Sequence, residues 1–512
     1  MLSSGAIRRK IADKIGRIKG TSMKARSARA VMALGIGTVA GRGTRFAKNM
    51  ILAKFLLAPG QLGTMAIIMS FSMAFEALIE VGVKQSIIHN KRGATDEYLN
   101  AAWWMQVARG LCLFAGANLL APWISSIYDD PELSRLLRVA FLGVVLRCLI
   151  SPRAYVLEKE FKFGRAVFLL QGSAILGAVI AIGLAAVMRN VWALVLGFVA
   201  EMAIMSILSF MLVPFLPRFR IDRQSLSELL KYARGMFGLP VLTALSLQAP
   251  ILILGKVTSK ELLGMYSLAA LLAYIPIDLY GRVIAPVLFP AFSEKQDDNR
   301  ALCRGIFQAT RWTAFIAIPL MAFMACSASE LLLLVYRAEY VAMAVPFAVL
   351  CVQIVVRSEA VILAGMYMAT GRPHLQRRFA IMRAVVIIGL IYPAAVRFGP
   401  SGAAAAIVLS NLAVLVIQVF KARKVIDLEL HRYVCSYIPG LLLALPIIVA
   451  FDIFWLLKVD SPTLVLAIGG TVFAATFVAG ALIWNRHKRL PAITKKSEDR
   501  LDCLSLSEVD GG

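Results

Sequence analysis

Across 512 residues the chain is 59% hydrophobic and only 17% charged, with a mean hydropathy of +0.76, more apolar surface than a water-soluble fold of this size can bury; the class is an all-α polytopic membrane protein. The formal net charge of +25 suits either nucleic acid or an anionic membrane surface, and the placing of the charges favours the membrane, so no nucleic acid is expected. Seven cysteines without a CxxC pair, four histidines in predicted loops and the lack of a GxxxxGK[ST] phosphate loop point to no disulfide framework, no metal, no cofactor and no ATP hydrolysis.

Residues 1–30 form a basic segment without the apolar core of a signal peptide, expected to lie on the cytoplasmic side against anionic lipid. Fourteen apolar stretches then follow, at 31–57, 62–88, 99–124, 133–151, 164–187, 191–216, 236–256, 262–291, 305–328, 341–369, 380–397, 401–420, 434–457 and 462–484. Each approaches the ~20 helical residues that cross a bilayer. Alternate loops carry nearly all the Lys and Arg, among them PRAYVLEKEFKFGR, PRFRIDRQSLSELLKYAR and FKARKVIDLELHR, whereas APGQ, IYDDPE, VTSKE and KVDSP are short and poor in cations. That asymmetry puts both termini in the cytoplasm. The expected organisation is an N-lobe over 31–217 (spans 1–6), a cytoplasmic linker over 218–235, a C-lobe over 236–420 (spans 7–12), spans 13 and 14 within 432–485, and a cytoplasmic tail over 486–512.

An internal repeat supports that division. Ile51–Leu–Ala–Lys54 precedes FLLAPGQLGTMAI and Ile253–Leu–Gly–Lys256 precedes VTSKELLGMYSL, which aligns Gly63 with Gly264. Six spans separate the copies, so both have one orientation, and the prediction is two parallel six-helix bundles plus two appended helices.

Charges inside the spans are costly, at least ~2.5–3.5 kcal/mol each on insertion scales, and so mark cavities or pathways. Span 1 carries RGTRFAKNMILAK, in which Arg42, Arg45 and Lys48 follow at three-residue steps and form one stripe, while Lys54 lies on another face near the outer end. Arg42 reads equally as an interface anchor; Arg45, deeper, reads as a cavity residue. In span 2, Glu76, Glu80 and Lys84 fall at four-residue spacing on one helix face, so Glu80 and Lys84 pair and Glu76 is left to meet Arg45. Span 8 carries Asp278 and Arg282 among Pro276, Pro286 and Pro290, which kink a helix around a cavity. Arg311 in span 9 and Arg357 and Glu359 in span 10 complete the set, with Arg311 also near enough to the boundary to anchor; Arg147 and Arg383 read as interface residues. The expected site is a net cationic cleft where spans 1, 2 and 8 meet, suited to an anionic ligand, with Glu76, Glu80 and Asp278 as carboxylates for either salt bridges or a coupling ion.

Three stretches resemble the polysaccharide transporter branch of the multidrug/oligosaccharidyl-lipid/polysaccharide exporter superfamily. They are ILAKFLLAPGQLGTMAIIMSFSMAFEALIEVGVKQSIIH, LLGMYSLAALLAYIPIDLYGRVIAPVLFPAFSEKQDD with its FPAFS and acidic run, and YRAEYVAMAVPFAVLCVQIVVRSEAVILAGMYMATGRP with its closing turn. The resemblance, over about residues 40–430, implies a non-enzymatic flippase of the bacterial inner membrane. It would move an undecaprenyl-diphosphate-linked oligosaccharide for exopolysaccharide, O-antigen or capsule synthesis by alternating access, with polysaccharide export and polymerisation proteins as partners. It also implies that Arg45, Arg42 and Arg282 grip the diphosphate, and that spans 13 and 14 offer a groove for the polyprenyl chain. Lys54 stands where many members have Arg. A multidrug exporter of the same fold, whose cavity should carry net acid, and a membrane polymerase or ligase, which should show a long outer loop, are the alternatives.

Overall fold

The computed structural model describes residues 37, 40–79, 82–160, 163–218, 222–236, 239–457 and 461–489. The predicted N-terminal segment 1–30, the tail beyond 489 and Glu80 lie outside these residues. Among the described residues the chain is built from helices, with no strand. We label the principal ones α1 (40–56), α2 (Pro59–Ile79), α3 (Asp96–Ile127), α4 (Pro131–Cys148), α5 (Phe163–Met188), α6 (Val191–Leu212), α7 (Leu239–Val257), α8 (Lys260–Val283), α9 (Asn299–Cys326) and α10 (Gln353–Ala369). The 54-residue helix Pro373–Ile426 breaks at Gly399, whose φ of 56° is in the left-handed region that glycine enters freely, into limbs α11 and α12. Two further helices, α13 (Ile438–Leu456) and α14 (Pro462–Arg489), close the series.

Ten helices among the described residues are long and apolar enough to cross a membrane. The helices α1, α4 and α7 stand where spans 1, 4 and 7 are predicted but are shorter or more charged. Large apolar side chains stand open on the outer helix surfaces: Leu119 of α3 and Val187 of α5 are each more than four-fifths exposed, as suits helices surrounded by hydrocarbon. The apolar window of α14 is only 11% buried, against 50% in α8 and α9, so α14 is peripheral, as an appended helix should be.

The short turns are built by side-chain caps. Asp130, Asn190 and Ser259 accept hydrogen bonds from Glu132 N, Ala193 N and Leu262 N and so start α4, α6 and α8. At the opposite, basic end, Asp298 starts α9 by accepting from Ala301 N at 2.9 Å, and Asp222 caps the helix Arg223–Met236 by accepting from Ser225 N at 2.9 Å and from Ser225 Oγ at 2.5 Å. The Ser225 hydroxyl, then its backbone N–H, hold the Asp222 carboxyl below the usual carboxylate range.

The two aligned glycines meet. A Cβ on Gly63 would strike the Lys260 carbonyl, and one on Gly264 would strike the Pro59 carbonyl and the Gly63 amide. Only residues without a side chain allow α2 and α8 to approach so closely. Around this contact, Lys256 pairs with Asp129 and Lys260 with Asp130, both at 2.7 Å, and Tyr128 OH donates to Leu252 O at 2.9 Å. Lys54 donates to Leu334 O at 2.7 Å and Arg337 to Lys54 O at 2.9 Å. The ends of α2, α4, α7 and α8 at the short turns are thereby sealed across the two halves of the chain.

One predicted alignment fails. The described part of α2 runs to Ile79, and Gly82, with φ 80°, turns the backbone out of the helical path before Val83–His89, so Glu76 and Lys84 do not share a continuous face. Lys84 pairs instead with Glu158 at 2.8 Å.

Candidate functional site

A cavity of about 390 Å³ lies behind the short-turn seal, lined by α1, α2, α4, α5, α6 and α8. The helix α1 delivers Arg42, Arg45 and Lys48 to it from a single stripe, because three-residue steps at 100° each drift by only 60° per step. Lys54 is not among the lining residues; it belongs to the seal. Opposite the stripe stand Glu76 on α2, Arg147 on α4, Glu201 on α6 and Asp278 on α8. Four cations against three carboxylates leave one positive charge in excess.

The pairs run between helices. Arg42 Nη2 lies 2.9 Å from Asp278 Oδ2, joining α1 to α8 across the two halves. Arg147 Nη1 lies 3.5 Å from Glu76 Oε2, and Arg45 Nη2 lies 3.6 Å from Glu201 Oε1. The expected Arg45–Glu76 pair is therefore not formed: Arg147, read from the sequence as an interface residue, reaches over from α4 and takes Glu76. Of these three arginine side chains Arg45 is the most open, 53% exposed against 31% for Arg42 and 26% for Arg147. Its pair is also the longest, so its forked donors remain accessible from the cavity.

The sequence reading missed Glu201, and the signal for it was a lone acid in the run VWALVLGFVAEMAIMSILSFML. An uncompensated carboxylate in such a stretch demands a partner, and Gly177 lets it in: a Cβ at Gly177 would collide with the Glu201 side chain. Arg109 was missed as well; its Nη1 donates to Ile79 O at 3.0 Å and secures the end of α2. The predicted site residues Arg311 and Arg357 are not among the residues lining the cavity. Arg282 lies on α8, and its side chain falls outside the described residues. The cavity wall thus comes mostly from the first half of the chain, with α8 the sole contribution from the second half among the described lining residues.

The family described as polysaccharide biosynthesis protein matches residues 51–345, more than half of the chain. The chain belongs to that family. Among its relatives, a Klebsiella pneumoniae protein described as an uncharacterized membrane protein in the cps region is 24% identical, over 90% of this chain and 95% of its own. The lipopolysaccharide biosynthesis protein WzxC of Escherichia coli K12 is 22% identical, over 81% of this chain and 84% of its own. Of solved structures, the lipid II flippase MurJ in an inward closed conformation superposes with a TM-score of 0.74 at 13% identity, covering 89% of this chain and 99% of that one. An inward-facing multidrug resistance MATE transporter superposes at 0.60 with 16% identity, covering 75% and 94%. At these identities the likeness is one of fold, and it is the family match that bears out the resemblance to polysaccharide transporters read from the sequence.

Proposed function

We propose that this member of the polysaccharide biosynthesis family is a flippase that carries an undecaprenyl-diphosphate-linked oligosaccharide across the bacterial cytoplasmic membrane, with no bond made or broken. The observation that carries the reading is the open Arg45 guanidinium in a cavity with an excess of positive charge. A diphosphate bearing sugars cannot cross hydrocarbon unaided, and arginine donors in a water-accessible cleft replace its hydration by charge-assisted hydrogen bonds. The names of the relatives agree: one is a lipopolysaccharide biosynthesis protein, another the succinoglycan biosynthesis transport protein ExoT of Rhizobium meliloti, and a fold neighbour is a lipid II flippase.

In this reading both termini are cytoplasmic, the short-turn end faces outward, and the two halves part at the α2–α8 contact to open that end. Arg45 takes the diphosphate directly, Arg42 does so once released from Asp278, and Arg282 on α8 contributes from the second half. Glu76 and Asp278 hold cavity arginines in the unloaded state, so a structural role accounts for them. The net positive sign of the cavity disfavours the cationic amphiphiles that a drug exporter of this fold would take. Replacing Arg45 by Ala in the native strain should leave the amount of protein in the membrane unchanged, abolish surface polysaccharide and accumulate lipid-linked repeat units on the cytoplasmic face. Normal surface polysaccharide in that variant would contradict the reading.

A further inference from the structure

Glu359 of α10 is wholly buried and lies outside the lining of the charged cavity. One of its oxygens, Oε2, accepts from Thr310 Oγ1 of α9 at 2.9 Å and from Tyr433 OH at 3.1 Å. Tyr433 sits in the short helix Leu430–Cys435 that leads into α13, and Tyr437 OH donates onward to Tyr433 OH at 2.9 Å. The other oxygen, Oε1, is buried and has no hydrogen-bond partner. Among the described residues, the titratable groups facing the carboxyl are Tyr433 and Tyr437 on the segment before α13 and Tyr280 on α8. No ion pair with Glu359 is formed among these residues.

A carboxylate held by hydroxyls alone, deep in a membrane protein and without a cation, is left with an uncompensated charge costing several kcal/mol. The unpartnered Oε1 is where compensation is missing. Two hydroxyls and one carboxyl make a poor cage for a metal ion, which needs more oxygens, whereas a single proton on Oε1 neutralises the group with no rearrangement. We propose that Glu359 is a proton site of this protein, carrying a proton while α9, α10 and the start of α13 are packed as they are here and releasing it when they part. The position suits coupling. One turn along α9 from Thr310, Thr313 shares a 2.6 Å hydrogen bond with Tyr280 of α8, two residues beyond the cavity's Asp278. Movement of α8 about the cavity therefore reaches Glu359 through α9. The coupling rests on the flippase reading; the proton itself does not.

The test is infrared difference spectroscopy of the full-length protein in lipid, perfused between acid and alkaline buffer. A protonated-carboxyl C=O band that Glu359→Gln removes is expected, and Tyr433→Phe should shift that band by removing one donor. Absence of the band at every pH overturns the proposal, as does loss of the band when sodium replaces potassium at fixed pH, which would make the ligand a metal cation. In proteoliposomes supplied with undecaprenyl diphosphate, the wild type should respond to an imposed pH gradient and Glu359→Gln should lose that response. A band present with an unchanged gradient response in Glu359→Gln overturns the coupling while leaving the flippase reading intact; no transport by the wild type would bear on the flippase reading instead.

Discussion

The short-turn seal and the charged cavity are both held by ion pairs, but with different cations: both lysine pairs of the seal cross between the halves of the chain, and in the cavity only Arg42–Asp278 does. At the seal, the carboxylates of Asp129 and Asp130 are held by lysines, and the Lys256–Asp129 pair is 48% and 81% exposed. In the cavity the partners are arginines set against carboxylates on three separate helices, and Arg45, 53% exposed, is as open as the seal lysines. A lysine ammonium is a hydrated point charge, and an exposed pair of this kind contributes about 0.2–1 kcal/mol, which suits a contact made and broken in every cycle. A guanidinium offers a rigid fork that matches phosphate oxygens, which suits a ligand. On the proposed reading the difference separates closing from binding: the close packing of Gly63 on Gly264 holds the end shut, the lysines orient it, and the arginines are there to take an anion.

The largest effect should come from the binding side. Exchanging Arg45 for Lys keeps the charge and removes the fork, so export assayed as surface polysaccharide should fall by roughly 10-fold while Arg45→Ala abolishes it, in line with the ~1.5–3 kcal/mol of a hydrogen bond to a charged group. Equal export by the lysine variant would erase the distinction drawn between the two regions.

The next effect belongs to the seal. Gly264→Val forces a side chain into the Pro59 carbonyl, and overpacking of about 1–3 kcal/mol should separate the α2 and α8 ends. Spin labels at Ser126 and Thr258 should report longer distances, and an unchanged distribution would show that the glycines do not hold the end. Removing both seal lysines, as Lys256→Met with Lys260→Met, should change that distribution much less, by no more than about 1 kcal/mol per pair. A larger shift than that of Gly264→Val would reverse the ranking of packing over charge.

The smallest effect lies outside both regions, at the linker cap. The folded-state carboxyl of Asp222 is held below its ordinary range by Ser225, so its contribution is fully present above the ordinary carboxylate value and is lost as pH falls through the lowered one. Protection of the Ser225 amide, its exchange rate relative to the intrinsic rate at each pH, should be lost only in acid, and Asp222→Asn should remove that pH dependence.

Parts of this arrangement were legible in the sequence for identifiable reasons. The α1 stripe follows from helical spacing alone, and the equivalence of Gly63 and Gly264 from the repeat, whereas their direct contact is seen only in the fold. The pairing of the cavity was not. Which carboxylate meets Arg45 depends on how α2, α4 and α6 are rotated about their own axes, and apolar helices carry little moment to fix that rotation. Hence Glu201 was overlooked, Arg147 was placed at the boundary, and Glu76 was given the wrong arginine. The break at Gly82 is hidden because EALIEVGVK keeps a helical spacing of charges through it, and only the left-handed backbone at that glycine reveals it. Spans 11 and 12 were separable in sequence by Arg397 and the Gly399–Pro400 pair, and the backbone turns at that glycine.

Contact between Arg45 and an anionic head group is open to a direct binding measurement. Purified full-length protein in lipid nanodiscs would be titrated with undecaprenyl diphosphate and with undecaprenol, for the wild type and for Arg45→Ala. The account predicts that the substitution weakens diphosphate binding by roughly 10-fold or more and leaves binding of the uncharged alcohol unchanged. Equal diphosphate affinity in the two proteins would contradict it.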